Sequence, residues 1–217
     1  QVYIESGSKR VFASALEWPG WSRSAKDEAA ALAALAAYAP RYAPVATAAG
    51  LPFSHNSGTR FEVLQRVRGS GATDFGVPEH AARRDREPLT RKHADRLAAL
   101  VWATWTVFDR VVAGAPAELR KGPRGGGRNR DAIFDHVLGA EVGYARMLGL
   151  RLKQPDRTDV MAVARHREAL VAPIREAVGA PSVEGKGWLP RYAARRIAWH
   201  VLDHAWEIED KSLPATP

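Results

Sequence analysis

From about residue 90 onward, the apolar residues fall at helical spacing in four successive stretches, and a helix bundle is the architecture that buries four such stripes together. Leu97, Leu100, Val101, Thr104, Phe108 and Val111 recur at i, i+3, i+4, i+7, i+11 and i+14, which predicts one long helix ended by Ala113-Gly114-Ala115-Pro116. A Gly/Arg loop follows. The second stripe is Ile133, Val137, Ala140, Tyr144, Met147 and Leu148, closing at Gly149. The third runs Val160, Val163, Leu170, Val171, Ile174 and Val178, with Pro173 inside it as an expected kink. The fourth, Ile197, Val201 and Ile208, lies between WLPRY and Leu213-Pro214.

The first 80 residues read differently, as a small α+β domain. VYIES and RVFASALE are short, β-rich runs joined by the turn-like GSK. Ser24, three residues before Asp27, is a capping arrangement that predicts a helix over about 26–39, stopped by Pro40 and Pro44. TRFEVLQRVRG predicts a third strand, with Phe61, Val63 and Gln65 on one face. GSGATDFGVPEH reads as a loop with a short strand at TDFGV. The boundary between a domain over 1–80 and a four-helix bundle over 81–217 is expected in the 76–90 loop.

The chain has no cysteine, which excludes disulfides, thiolate ligands and a Cys nucleophile, so any metal must be held by His and carboxylates. The net charge of +8 is concentrated: residues 81–130 carry twelve Lys and Arg against five acids, whereas 131–217 balance at twelve each. Two basic stretches, AARRDREPLTRKH and LRKGPRGGGRNR, could touch nucleic-acid phosphates. No aromatic residues interleave with these arginines as a single-strand stacking platform needs, and a solvated linker and loop is the competing reading. GPRGGGRN lacks the ending of a phosphate-binding loop, and no GxSxG elbow occurs. No run of eighteen apolar residues and no secretion-signal layout are present, so the expectation is a cytoplasmic protein with no membrane partner.

Among seven histidines, His200 and His204 lie on the inward stripe of the fourth helix, and positions i and i+4 differ by only about 40° around a helix. Their imidazoles can converge on one divalent ion. His136 stands three residues after Ile133 on the inward stripe of the second helix. Three neutral imidazoles buried without partners are costly, and shared coordination satisfies them together. The alternative is that each is a core histidine bonded locally. Asp203 and Glu207 are candidates to orient the ligands, or simply surface charges. His55, His80 and His93 are expected in solvent, and His166, between Arg165 and Arg167, on a polar face. Trp102, Trp105, Trp199 and Trp206 are expected to pack helix on helix, the last two walling the metal cavity.

DAIFDHVLGAEVGYARMLGL and ARRIAWHVLDHAWEIEDK resemble the DinB-like superfamily, over about residues 90–211. The resemblance implies a divalent ion, zinc or nickel, on His136, His200 and His204 with open positions. It also implies thiol chemistry: transfer of mycothiol or another low-molecular-weight thiol to an electrophilic small molecule, or thiol-assisted isomerisation. Tyr144 is then a cavity wall and donor, better placed than Glu141, and Arg124, Arg128 and Arg130 are candidates to bind an acidic group of the thiol or substrate. RVFASALEWPGWSRSAKDEAAALAALAAY bears a fainter likeness to HicB-type antitoxin domains, which bind a toxin or mediate oligomers. A homodimer is therefore among the expected assemblies, against a plain structural cap in which Trp18 and Trp21 pack a turn or line a substrate entrance. The rival functions are a non-catalytic interaction protein and a metal-dependent hydrolase.

Overall fold

The structure, a computed structural model, describes residues 1–54, 60–122, 126–179 and 187–212. Arg124, His55 and the Leu213-Pro214 stop lie outside the described residues. The chain builds a four-stranded sheet with helices in its N-terminal part, followed by a mostly helical C-terminal part.

Strands β1 (Val2–Ser6) and β2 (Val11–Ala15) form the expected antiparallel hairpin, with Ile4 opposite Ala13. A strand not anticipated from the sequence, β3 (Ser22–Ala25), pairs with β2 and places Ser24 opposite Phe12. Ser24 therefore cannot open the helix. Asp27 does so instead, accepting from the Ala30 amide at 2.8 Å at the start of α1 (Glu28–Ala37). Pro40 and Pro44 do not stop helical structure: α2 (Ala39–Ala48) takes Pro40 into its first turn, where the missing amide proton costs nothing, and continues through Pro44. Strand β4 (Val63–Arg68) then returns parallel to β1, giving the order β3-β2-β1-β4.

TDFGV is not a strand. Ser70 accepts from the Ala72 amide at 3.0 Å while Thr73 Oγ1 accepts from the Ser70 amide at 2.8 Å, and this reciprocal cap makes a short helix, α3 (Gly71–Phe75). Gly76 closes it at φ 100°, a left-handed conformation that suits glycine. A short 3-10 turn at Arg83–Arg86 leads into the bundle.

Four helices, α4 (Arg91–Gly114), α5 (Arg130–Met147), α6 (Val160–Glu176) and α7 (Pro190–Ser212), share one apolar core built from Val101, Phe108, Ile133, Val137, Leu170 and Ile197, among others. The ends of the third predicted stripe are not part of it: Val160 is 74% and Val178 48% exposed. His166 is buried rather than on a polar face, and the Trp102 ring is exposed, touching the buried Trp105 edge-on. By length and composition α4 could cross a membrane, but half of its apolar window is buried against other elements, as for a core helix.

A second core joins the sheet to the bundle. Val2, Ile4, Val11 and Ala13 on one sheet face meet Leu35, Tyr42 and Val45 of α1 and α2, and also Leu100, Ala103 and Val107 of α4 with Leu202 and Trp206 of α7. Trp18 and Trp21 belong to this packing: Trp21 stacks on Tyr42 and donates to the Leu35 carbonyl at 2.9 Å, and both rings meet Phe53 edge-on. Gly20 (φ +91°) brings the β2–β3 turn so close to α7 that a Cβ would sit 2.6 Å from Leu202 and 3.1 Å from the Ala198 backbone. Facing the other side of the sheet, Arg195 of α7 lies over the Tyr3 ring and forks onto the buried Asp85.

Candidate metal centre

Pro190 starts α7 with a residue that has no amide proton to leave unbonded, and Asp131 sits in the first turn of α5, where the helix end is positive. These two helices pack together and supply all three candidate ligands. The ring centroids of His136 and His200 are 5.2 Å apart, those of His136 and His204 4.8 Å, and those of His200 and His204 4.6 Å. One nitrogen from each ring lies within 4.8 Å of the other two, so the group can hold a metal ion. Nitrogens at about 2.1 Å from a shared tetrahedral ion stand roughly 3.4 Å apart, so a bound ion would draw the rings somewhat closer than they stand here.

The chemistry of the rings fits that use. His200 is buried, and its Nδ1 has no hydrogen-bond partner, an orphaned polar atom of the sort that coordination or water would satisfy. Burial, then the neighbouring His204, Arg196, His136 and Arg128 charges, hold the His200 pKa well below its usual value. Burial also lowers that of His136, helped by His204 and Arg128. Both are therefore neutral at neutral pH, and no proton has to leave before they ligate. His204 Nδ1 contacts Glu207 Oε2 at 2.7 Å, which leaves Nε2 to face the cluster. That contact first, and then Lys211, pull the Glu207 carboxyl down to about 2 against the effect of its burial. Of the two candidate orienting carboxylates, then, Glu207 touches a ligand, while Asp203 pairs with Arg23 of β3 at 3.1 Å.

Two expected outcomes follow from these contacts. Glu207→Ala removes the group that fixes His204, and metal affinity in a competition titration should fall about 10- to 100-fold. In the metal-free protein, the unfolded chain takes up protons on His136 and His200 near pH 6.5 while the folded chain resists. The unfolded state then binds more protons below that pH, so stability falls as the pH drops through 6.5 toward the lowered folded values. Thermal melts of the stripped protein between pH 7.5 and 5 should show it, and His200→Ala should blunt it.

Tyr144 stands against the cluster, its ring centroid 5.7 Å from that of His200 and 5.1 Å from that of Trp188. Burial raises its pKa, partly offset by Arg196, so its hydroxyl stays protonated and can donate. Glu141 is turned away: it is fully buried, accepts from Trp105 Nε1 at 2.6 Å and lies 3.4 Å from His166 Nε2. Trp199 packs beside His200, but Trp206 does not wall the site, because it points into the sheet-side core against Tyr38. His80 is half-buried, with an inward Nε2, whereas His93 is exposed.

Of the three candidate arginines, Arg124 lies outside the described residues. Arg130 is held by Asp131 at 2.8 Å and the Ala115 carbonyl at 2.9 Å. Arg128 is exposed, and its charge reaches His136 and His200. Arg196 is the arginine that sequence reasoning missed. It precedes His200 by four residues, the same spacing that pairs the two α7 histidines, and that spacing was the available signal. Comparison with family models, with curated proteins and with solved structures returned no match to this chain.

Proposed function

We propose that this chain is a divalent-metal protein that presents a low-molecular-weight thiol, of the mycothiol type, to an electrophilic small molecule for transfer or isomerisation. The observation that carries the reading is the meeting of three imidazoles, one with an orphaned nitrogen and one oriented by a carboxylate, in a chain with no cysteine of its own. The DinB-like resemblance supports it and favours zinc or nickel. His136, His200 and His204 would hold the ion, which would supply a Lewis-acidic position that lowers the pKa of a thiol or water there. Tyr144 offers a hydroxyl proton to an oxygen or sulfur of the reactant beside His200, and Trp199 and Trp188 restrict water around that face.

The test compares chelator-stripped protein with zinc- and nickel-loaded protein in a mixture of thiol and a generic electrophile. Metal-dependent loss of free thiol, abolished in His200→Ala, is the expected result. Metal bound stoichiometrically with no thiol consumed would overturn the thiol reading, and ester or amide cleavage in the same samples would establish the hydrolase instead. Salt-sensitive retention on nucleic acid, without turnover, would favour an interaction protein built on the basic 81–130 segment.

A further inference from the structure

Three arginines of α7 point into packed surroundings, and two of them have hydrogen-bond acceptors, although Arg191 keeps a buried Nε without one. Arg195 forks onto Asp85, and Arg191 donates to the Pro88 carbonyl at 3.4 Å. Arg196 differs. Its Nη1 is buried with no acceptor, and among the described residues it makes no hydrogen bond or ion pair. Its guanidinium lies over two rings, 4.6 Å from the Trp199 centroid and 5.3 Å from that of Tyr144. Those are the rings that flank His200, so the unpaired cation sits one helical turn from the histidine cluster.

Arg196 is half-buried, and shielding its Nη1 from water without an acceptor costs free energy that ring contacts only partly offset. With aromatic rings against its face, the group bonds through its edge, and that edge matches the two oxygens of a carboxylate. The surrounding charge points the same way. Three neutral imidazoles cancel none of a divalent ion's charge, and the carboxylate touching the cluster, Glu207, is offset by Lys211. Asp203 is taken by Arg23, and Glu141 faces Trp105 and His166. Arg128 adds a further positive charge within reach of His136 and His200. The surroundings are thus short of negative charge.

We propose that Arg196 is a carboxylate-binding residue of this site, and that the molecule presented to His136, His200 and His204 carries a carboxylate beside its reactive atom. The second half of that statement rests on the metal reading above; the first does not. Arg196 fixes orientation by holding the carboxylate edge-on, while Tyr144 and Trp199 keep the guanidinium in place.

The experiment has two arms, both on the full chain. In the zinc-loaded protein, calorimetric titration compares thioglycolate with 2-mercaptoacetamide, its neutral isostere. Wild type should prefer the acid by roughly tenfold to a hundredfold. Arg196→Met should erase that preference while leaving the amide's affinity and the zinc content unchanged, and Arg196→Lys, which keeps charge but not the planar fork, should fall between them. A preference that survives in Arg196→Met would mean that the carboxylate sits elsewhere and would overturn the proposal. In the metal-stripped protein, line broadening of the ligand methyl signal compares acetate with acetamide. Arg196-dependent broadening by acetate alone is expected, and its absence in wild type would overturn the carboxylate site whatever the thiols do. Failure of 2-mercaptoacetamide to bind the zinc-loaded chain would count against the thiol reading while leaving the acetate arm standing. Circular dichroism and melts of both Arg196 variants identify any that fail to fold, and Arg196→Lys, which retains the stem and the charge, then decides.

Discussion

His200→Ala should lower metal affinity at least 100-fold, and His136→Ala should do the same. Loss of a carboxylate that merely orients a ligand costs about 10- to 100-fold, so loss of a ligand itself should cost at least the upper end of that range. The pair of variants is more informative than either alone. If the metal were held only by the i, i+4 pair on α7, His136→Ala would be silent, because His136 belongs to α5. Equal losses in both would show that the site spans two helices. The readout is metal content after dialysis of protein made without a histidine tag, joined by thermal melts. At a free metal concentration 100 times the dissociation constant, binding should stabilise wild type by about 2.7 kcal/mol, an increment both variants should lose. Because His200 is buried against the Tyr144 and Trp199 rings and its truncation carries a packing loss of its own, the increment is read in each protein as metal-loaded minus metal-stripped. Undiminished metal content in His200→Ala would remove the basis of the functional reading.

Arg195→Met is expected to be the most damaging single change outside the candidate site. Arg195 and Asp85 are each less than a tenth exposed, and the fork includes an Nη2–Oδ2 contact of 2.5 Å. Asp85 also accepts from the Ala82 amide at 2.7 Å, so it cannot swing away to water without opening the connecting turn. Removing the cation strands a carboxylate in the interior, which costs about 3–5 kcal/mol and lowers the melting temperature by on the order of 10 °C for a chain of this length. Desolvation works against the Arg195 cation, but Asp85 outweighs it and raises the Arg195 pKa. The double variant Asp85→Leu/Arg195→Met should recover most of the loss, because an apolar pair of similar volume has no charge to desolvate. A single variant that melts within 1 or 2 °C of wild type, as roughly expected of a surface change, would mean that water reaches Asp85 after all.

The four helices and the inward side of each histidine were legible because both depend on helical spacing, whereas the meeting of His136 with the α7 pair also needs α5 to pack on α7. Leu97, Val101 and Phe108, Ile133 and Val137, and Ile197, Val201 and Ile208 all lie where their periodicity puts them, and His136, His200 and His204 share their inward side. Readings failed where partners distant in sequence decided the outcome. Ser24 looks like a helix cap until β2 claims it as a strand residue. TDFGV has strand composition, but a local reciprocal cap at Ser70 and Thr73 wins. His166 has charged neighbours in sequence, yet α6 turns it inward against Glu141, a carboxylate 25 positions earlier. Trp206 lies on the side of α7 that meets the sheet, so its composition says nothing about which core it joins. Arg196 was within reach of the same spacing argument that found the histidines, but its lack of an anionic partner is a three-dimensional fact.

The packing of α7 has one more consequence. Ala198 and Leu202, against the β2–β3 turn at Gly20, alternate along the rod with His200 and His204. The turn between β2 and β3 and the imidazoles are therefore held by opposite sides of one stretch of helix, and a side chain added at Gly20 would push on the backbone that carries the histidines.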